Sequence, residues 1–367
     1  MLLRMRKSWL AFAILLAWHT PLFAQLEDAD PATKAKCAQY LLTPLPAEAA
    51  SIPTPEQWPA CESYKLYSGI VTNIDFEAAR KCAWSERLAT QKELEPRSGV
   101  SRVFGGSAML TVLYANGEGV SRDLPKALRF ACEAGGAPAE IGGRVKDLES
   151  RLNQKSAIEP KFQFCDDITS GFMMGFCTAY SSEIEDQIRI EATKVISHAW
   201  TVAEKSSFQL LLSAKESYAE AHAKGEVDLS GTARAMYEIE EKDGIRDNFL
   251  AALKSFETGA LPKALPNDAA EADARLNREY RKAMADAEAH KSDYGAIQPD
   301  GIRDAERAWL KYRDAWVAFA KTRYPSINES AWLKLLSDDR VLVLQGKCCG
   351  LDPDAGKDAP PYPRPLP

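Results

Sequence analysis

Apolar positions along this chain recur at helical spacing. In Gly301 to Tyr324, the residues Ile302, Ala305, Trp309, Tyr312, Trp316 and Phe319 alternate steps of three and four, while Asp304, Glu306, Arg307, Lys311, Arg313 and Asp314 mostly occupy the other faces. Such a stripe, with two Trp and a Tyr, predicts a core helix. Upstream, Asp268 to His290 follows a Pro266-Asn267-Asp268 start and places Leu276, Tyr280, Ala283 and Ala287 on one stripe. The turn Ser292 to Gly301 should join the two as an antiparallel hairpin. The same periodicity predicts helices over Ala179–Trp200, Phe208–Ala223, Leu229–Glu241, Ile245–Phe256 and Glu329–Leu344. Half-buried strands would alternate with period two, and that pattern is hard to find. The expectation is an all-α protein: stacked helix-pair repeats followed by antiparallel helical-hairpin modules.

The repeats lie between residues 58 and 152. A shift of 48 lays Asp75 on Asp123, Ala79 on Ala127 and Ala83 on Ala131, each copy running Tyr, Gly, turn, Asp, small-residue helix. The second copy, with Ala108, Leu110, Leu113, Tyr114, Gly117, Gly119, Val120, Asp123, Lys126, Ala127 and Ala131, resembles the Sel-type tetratricopeptide-related repeat. That resemblance implies close helix pairs, glycine turns and an Asp cap on each second helix.

In the last third, Asp273, Leu276, Asn277, Tyr280, Ala305, Trp309, Tyr312, Arg313 and Asp314 stand in an order that resembles the lysozyme inhibitor LprI-like domain, a small exported helical module. Members often carry a Cys after the Arg-Asp pair, where this chain has Ala315-Trp316. The resemblance makes Asp273, Asn277, Tyr280, Trp309, Tyr312, Arg313 and Asp314 candidate binding residues. The alternative is structural: Arg313 and Asp314 pair with Asp273 or Asn277 across the hairpin and fix its register. Residues 266–349 form this module. Residues 165–258 resemble a degenerate copy, since AKESYAEAHA sits where AERAWLKYRDA sits later and Cys165 and Cys177 have the spacing with which the family opens its domain.

Composition then narrows the setting. Arg4, Arg6 and Lys7 precede an apolar run from Trp9 to Trp18 and a small residue at Ala24, so residues 1–24 read as a secretory signal and 25–57 as a leader with one short helix near Ala32–Leu42. Without the signal, 43 basic residues face 52 acidic ones, a charge of −9. No basic patch suggests nucleic acid, and no later run is long enough to span a membrane. Residues 350–367 are rich in proline and should be extended and disordered.

All eight cysteines, Cys37, Cys61, Cys82, Cys132, Cys165, Cys177, Cys348 and Cys349, follow the signal, an even count suited to disulfides in an oxidising compartment. Cys37–Cys61 and a bridge between Cys82 and Cys132 are the pairings weighed. There is no CxxC and no paired histidine, so neither a metal nor a cofactor is expected. Lys155 to Phe164 reads as a linker. Asn328-Glu329-Ser330 reads as a sequon or as a helix cap.

No nucleophile elbow or phosphate loop occurs. Glu306 beside Trp309 could serve a wall hydrolase, but reads as a solvated helix residue. The reading is a non-catalytic exported envelope protein, periplasmic or secreted, that binds a protein partner. The family resemblance implies lysozyme, inhibited by occlusion. The alternatives are an interaction scaffold using the repeat groove and a cell-wall hydrolase.

Overall fold

A computed structural model describes residues 28–51, 61–70, 72–92, 99–153 and 160–346. The expected signal, the proline-rich end, and Cys348 and Cys349 lie outside them. Among the described residues the chain is all-α, with thirteen α-helices and no strand. These are α1 (Pro31–Tyr40), α2 (Ser63–Ser68), α3 (Phe76–Gln91), α4 (Gly99–Phe104), α5 (Ser107–Asn116), α6 (Leu124–Ala134), α7 (Pro138–Asn153), α8 (Gly171–Ser197), α9 (Val202–Gly225), α10 (Arg234–Glu257), α11 (Asp268–His290), α12 (Pro299–Arg323) and α13 (Glu329–Leu344).

The 48-residue shift is visible atom by atom. Gly69 ends α2 and Gly117 ends α5, both in the left-handed region that an L side chain resists. The Asp75 and Asp123 amides then donate to Leu66 and Tyr114 carbonyls at 3.0 and 2.9 Å. Their carboxylates cap the following helices, accepting from Ala78 N–H at 2.9 Å and Lys126 N–H at 3.0 Å. Ala79, Ala83, Ala127 and Ala131 are completely buried, because small side chains let the helices close together.

The two hairpins meet at Gly119. A Cβ there would lie 2.6 Å from the Phe76 carbonyl oxygen, and its φ is +66°. Gly119→Ala should therefore cost about 1–3 kcal/mol through strain and a backbone clash. A urea midpoint unchanged from wild type would show that the stacked turn is not needed.

Disulfides tie this half together in pairs other than those weighed from sequence. Cys37 joins Cys132, Cys61 joins Cys82 and Cys165 joins Cys177. Neither Cys37–Cys61 nor Cys82–Cys132 forms. Under the 48-residue shift the equivalent of Cys82 is Phe130, so Cys132 sits two residues further, roughly 200° around its helix. There it faces α1, which also reaches α7 through Lys36–Glu149 at 2.5 Å and Tyr40–Glu149 at 3.0 Å. The stretch expected as a linker is packed where it is described: Phe162 and Phe164 are buried, and the Asn116 amide grips the Phe162 N–H and C=O at 2.8 and 3.0 Å.

Two apolar cores result. One gathers residues from Ala29 to Cys177; the other gathers Trp200 through Leu336. Helix α8 runs between them, and its middle meets α10 through polar contacts, with Arg189 reaching Asp243 and Asp247 at 3.1 and 2.7 Å. The two helices expected at 229–241 and 245–256 are one helix, α10, whose buried Gly244 and Asp243 lie in mid-helix. Asp243 is held by Ser182, Arg189 and Arg246, yet burial still pushes its carboxyl above the usual range.

The expected hairpin partner of α12 is also corrected. Its aromatic stripe packs chiefly on α9, with Tyr312 stacked on Tyr218 at 5.5 Å and Phe319 against Phe208 at 5.2 Å. Gly225 and Gly301 let these helices touch, since a Cβ on either would lie 2.5 Å from the other's carbonyl oxygen. Helix α11 buries only Ala272, Leu276 and Ala287, too little apolar surface to cover two Trp and a Tyr. It leans on α13 instead, through Arg275–Asp338 at 2.6 Å. Asn328 caps α13 by accepting from Ser330 N–H at 3.0 Å.

Candidate functional site

The seven residues singled out from the sequence separate into core and surface. Trp309 and Tyr312 are buried beneath α9, and burial drives the Tyr312 hydroxyl well above its ordinary range, so it stays neutral. Tyr280 is half-buried, while Asp273, Asn277 and Asp314 are exposed.

The expected ion pair across the hairpin does not form. Arg313 bonds its neighbour Asp314 at 3.0 and 2.9 Å and lies 5.5 Å over the Trp309 ring. Asn277 donates to the Asp273 carboxylate one helical turn away, at 2.9 Å. Because α11 turns its contacts toward α13, neither pair needs the other, and both are left at the surface.

A buried ionic network holds the helices together in place of that pair. The Arg340 side chain is completely buried; its guanidinium donates to both Glu226 oxygens at 2.8 and 2.6 Å and to Glu306 at 3.0 Å. The Tyr218 hydroxyl lies 3.3 Å away. His222 completes the cluster, with its ring nitrogens 2.8 Å from Glu226 and 3.3 Å from Glu241. Arg340 thereby ties α13 to α12 and to the end of α9, and His222 extends the cluster to α10.

The reading of Glu306 as solvated is wrong: burial pushes its carboxyl upward, against the pull of Arg340. Burial also disfavours ionised Glu226, yet hydrogen bonds from His222 and Arg340 outweigh it and hold that carboxyl below its usual range. Both carboxylates are committed to Arg340, and this arrangement does not supply the free acid and base of a glycosidase. The sequence did carry a signal for the network. Trp332, Leu336 and Arg340 step by four, which puts an arginine on the buried stripe of α13.

Burial lowers the proton affinity of His222, but its bonds to Glu226 and Glu241 reverse this and leave its pKa raised. A raised folded value gives stability that is full below the unfolded pKa, near about 6.5, and is lost as pH rises through the folded one. His222→Gln should thus cost about 1–3 kcal/mol at about pH 5.5 and less at about pH 9. Equal urea midpoint shifts at both pH values would contradict a charged His222.

An open groove of about 970 Å³ lies where α8 and α10 begin, with Tyr294 of the α11–α12 turn on its edge. Val100, Phe172, Phe176, Ile239 and Tyr294 line it, together with Arg234. Phe172 and Tyr294 are 68% and 88% exposed, large aromatic surfaces left in water. The turn carrying Tyr294 rests on residues 228–230, close enough that a Gly295 Cβ would lie 2.6 Å from Asp228 Oδ1. Around it Asp286, Glu288, Asp293, Asp300 and Asp304 expose most of their side chains, with local cations at His290, Lys291, Arg303 and Arg307.

Among the described residues, no group of three or more His, Cys, Asp and Glu could hold a metal ion, and no helix is long and apolar enough to cross a membrane. No curated protein and no solved structure matches the chain. A family model does match its carboxyl-terminal part: residues 255–342, from the last turn of α10 through α11, α12 and nearly all of α13, fit the family described as Lysozyme inhibitor LprI.

Proposed function

We propose that the chain is an exported, non-catalytic binding protein whose carboxyl-terminal module inhibits a lysozyme by occlusion. The match of residues 255–342 to the lysozyme inhibitor family carries this reading. Three disulfides among the described residues fit an oxidising compartment, periplasmic or secreted, reached through cleavage near Ala24.

The contact surface we assign is the turn between α11 and α12. Tyr294 is a rigid amphipathic anchor of the kind enriched at protein interfaces, and the carboxylates around it favour a cationic partner. The exposed motif residues Asp273, Asn277 and Asp314 and the half-buried Arg313 belong to the same module as secondary contacts; Trp309 and Tyr312 act through the fold. In this reading residues 58–152 are Sel-type repeats, and 165–258 descend from a copy of the module at 266–349. A second reading has its own observation, the groove with exposed Phe172, which would suit a scaffold that holds a peptide.

Oxidised protein titrated against lysozyme digesting cell walls should slow lysis saturably, at one-to-one stoichiometry, with weaker binding at higher salt. Tyr294→Ala should weaken binding by about tenfold or more, since truncating an interface anchor costs on the order of 2 kcal/mol. Full lytic activity against a panel of lysozymes would remove the inhibitor reading and favour the scaffold.

A further inference from the structure

A second cavity, of about 530 Å³, is set into the amino-terminal half, away from the module that matches the inhibitor family. One wall is a stripe on α8, Tyr180, Ile184 and Ile188, spaced four apart and about 12 Å long at 1.5 Å per residue. The floor comes from Phe104, Met109, Val112, Phe162 and Phe164, and is closed where Phe104 stacks on Tyr180 at 4.8 Å.

These floor residues are 1–8% exposed, whereas Ile188 at the mouth is 63% exposed. Along that stripe a partner helix, about 10 Å wide, would need on the order of 900 Å³, more than the cavity holds, whereas an unbranched hydrocarbon chain fits. The volume therefore selects a narrow occupant.

Several polar groups along the slot already have partners. Tyr67 donates to Glu118 at 2.5 Å, Lys161 reaches the same carboxylate at 2.6 Å, Ser68 and Tyr180 share a hydrogen bond, and Glu185 pairs with Arg189 at 2.8 Å. A polar ligand would have to break these bonds, while an apolar one leaves them intact. Apolar walls with polar groups confined to the rim are the usual design of a small-ligand site. We infer that this slot binds the hydrocarbon chain of a single-chain amphiphile, with its head group at the mouth beside Lys161 and Glu185.

Calorimetric titration of the oxidised protein with dodecanoate and with dodecylphosphocholine, both below micelle formation, tests the inference and separates a free fatty acid from a lysophospholipid as the source of the chain. Saturable one-to-one binding of either is expected. Ile184→Trp, which fills the slot, and Ile188→Asp, a change at an exposed position, should each weaken it by about tenfold while leaving the helical circular dichroism intact. Heat that rises linearly without saturation, or affinity unchanged in both folded variants, would overturn it.

Discussion

Arg340→Ala should destabilise the protein by about 3–5 kcal/mol, because it leaves carboxylates buried without their cation. Arg340 bonds Glu306 directly, and it makes the two-point contact on Glu226. Without it, the Glu306 carboxyl should titrate well above the unfolded value near about 4.3, and Glu226, held by His222 alone, should rise from its lowered value, so that folding takes up more protons than in the wild type. The sign follows: the variant gains relative stability as pH falls, and its deficit at about pH 5 should be smaller than at about pH 7. Urea unfolding at the two pH values measures this. A loss below about 1 kcal/mol would mean that water or another cation already serves the carboxylates.

Removing the bridge from Cys37 to Cys132 should cost about 2–5 kcal/mol, comparable in size but different in origin. This bond closes a sequence separation of 95 residues, the longest of the three, and the unfolded chain gains most freedom when a long loop opens. The folded state also depends on it, since it anchors α1 beside the bonds of Lys36 and Tyr40 to Glu149 and of Arg129 to the Leu41 and Thr43 carbonyls. The double variant Cys37→Ser, Cys132→Ser should melt earlier, and proteolysis should cut first around α1. The Cys165–Cys177 bridge, closing only 12 residues, should matter less. Equal losses from the two bridges would argue against the loop-entropy account.

Much of this architecture can be read from the sequence because it is local. The stripe Ile302 to Phe319, the start of α11 at Asp268, the Asn328 cap and the paired Asp75 and Asp123 caps all depend on residues within one or two helical turns. Partner choice is not local. That α12 packs on α9 rather than α11 depends on the aromatic volume of Phe208 and Tyr218 and on the Gly225–Gly301 approach, nearly 80 residues apart in sequence. Cysteine pairing fails for the same reason, since facing direction follows from helix rotation and not from repeat equivalence.

The candidate site was legible in part. Trp309 and Tyr312 could be recognised as core, and the Arg-Asp pair as a choice between core and surface. Arg340 stands on a stripe that the sequence shows, but its partners and those of His222 are drawn from separate helices and carry no local signal. Tyr294 carries no periodic signal; its exposure becomes visible only once the turn rests on residues 228–230.

The most direct test of the inhibitor account is amide hydrogen exchange of the oxidised protein with and without saturating lysozyme. The account predicts added protection in residues 286–304, the acidic turn bearing Tyr294, and little change in α1 to α7. Protection confined to the amino-terminal half, or none anywhere in 255–342, would contradict it.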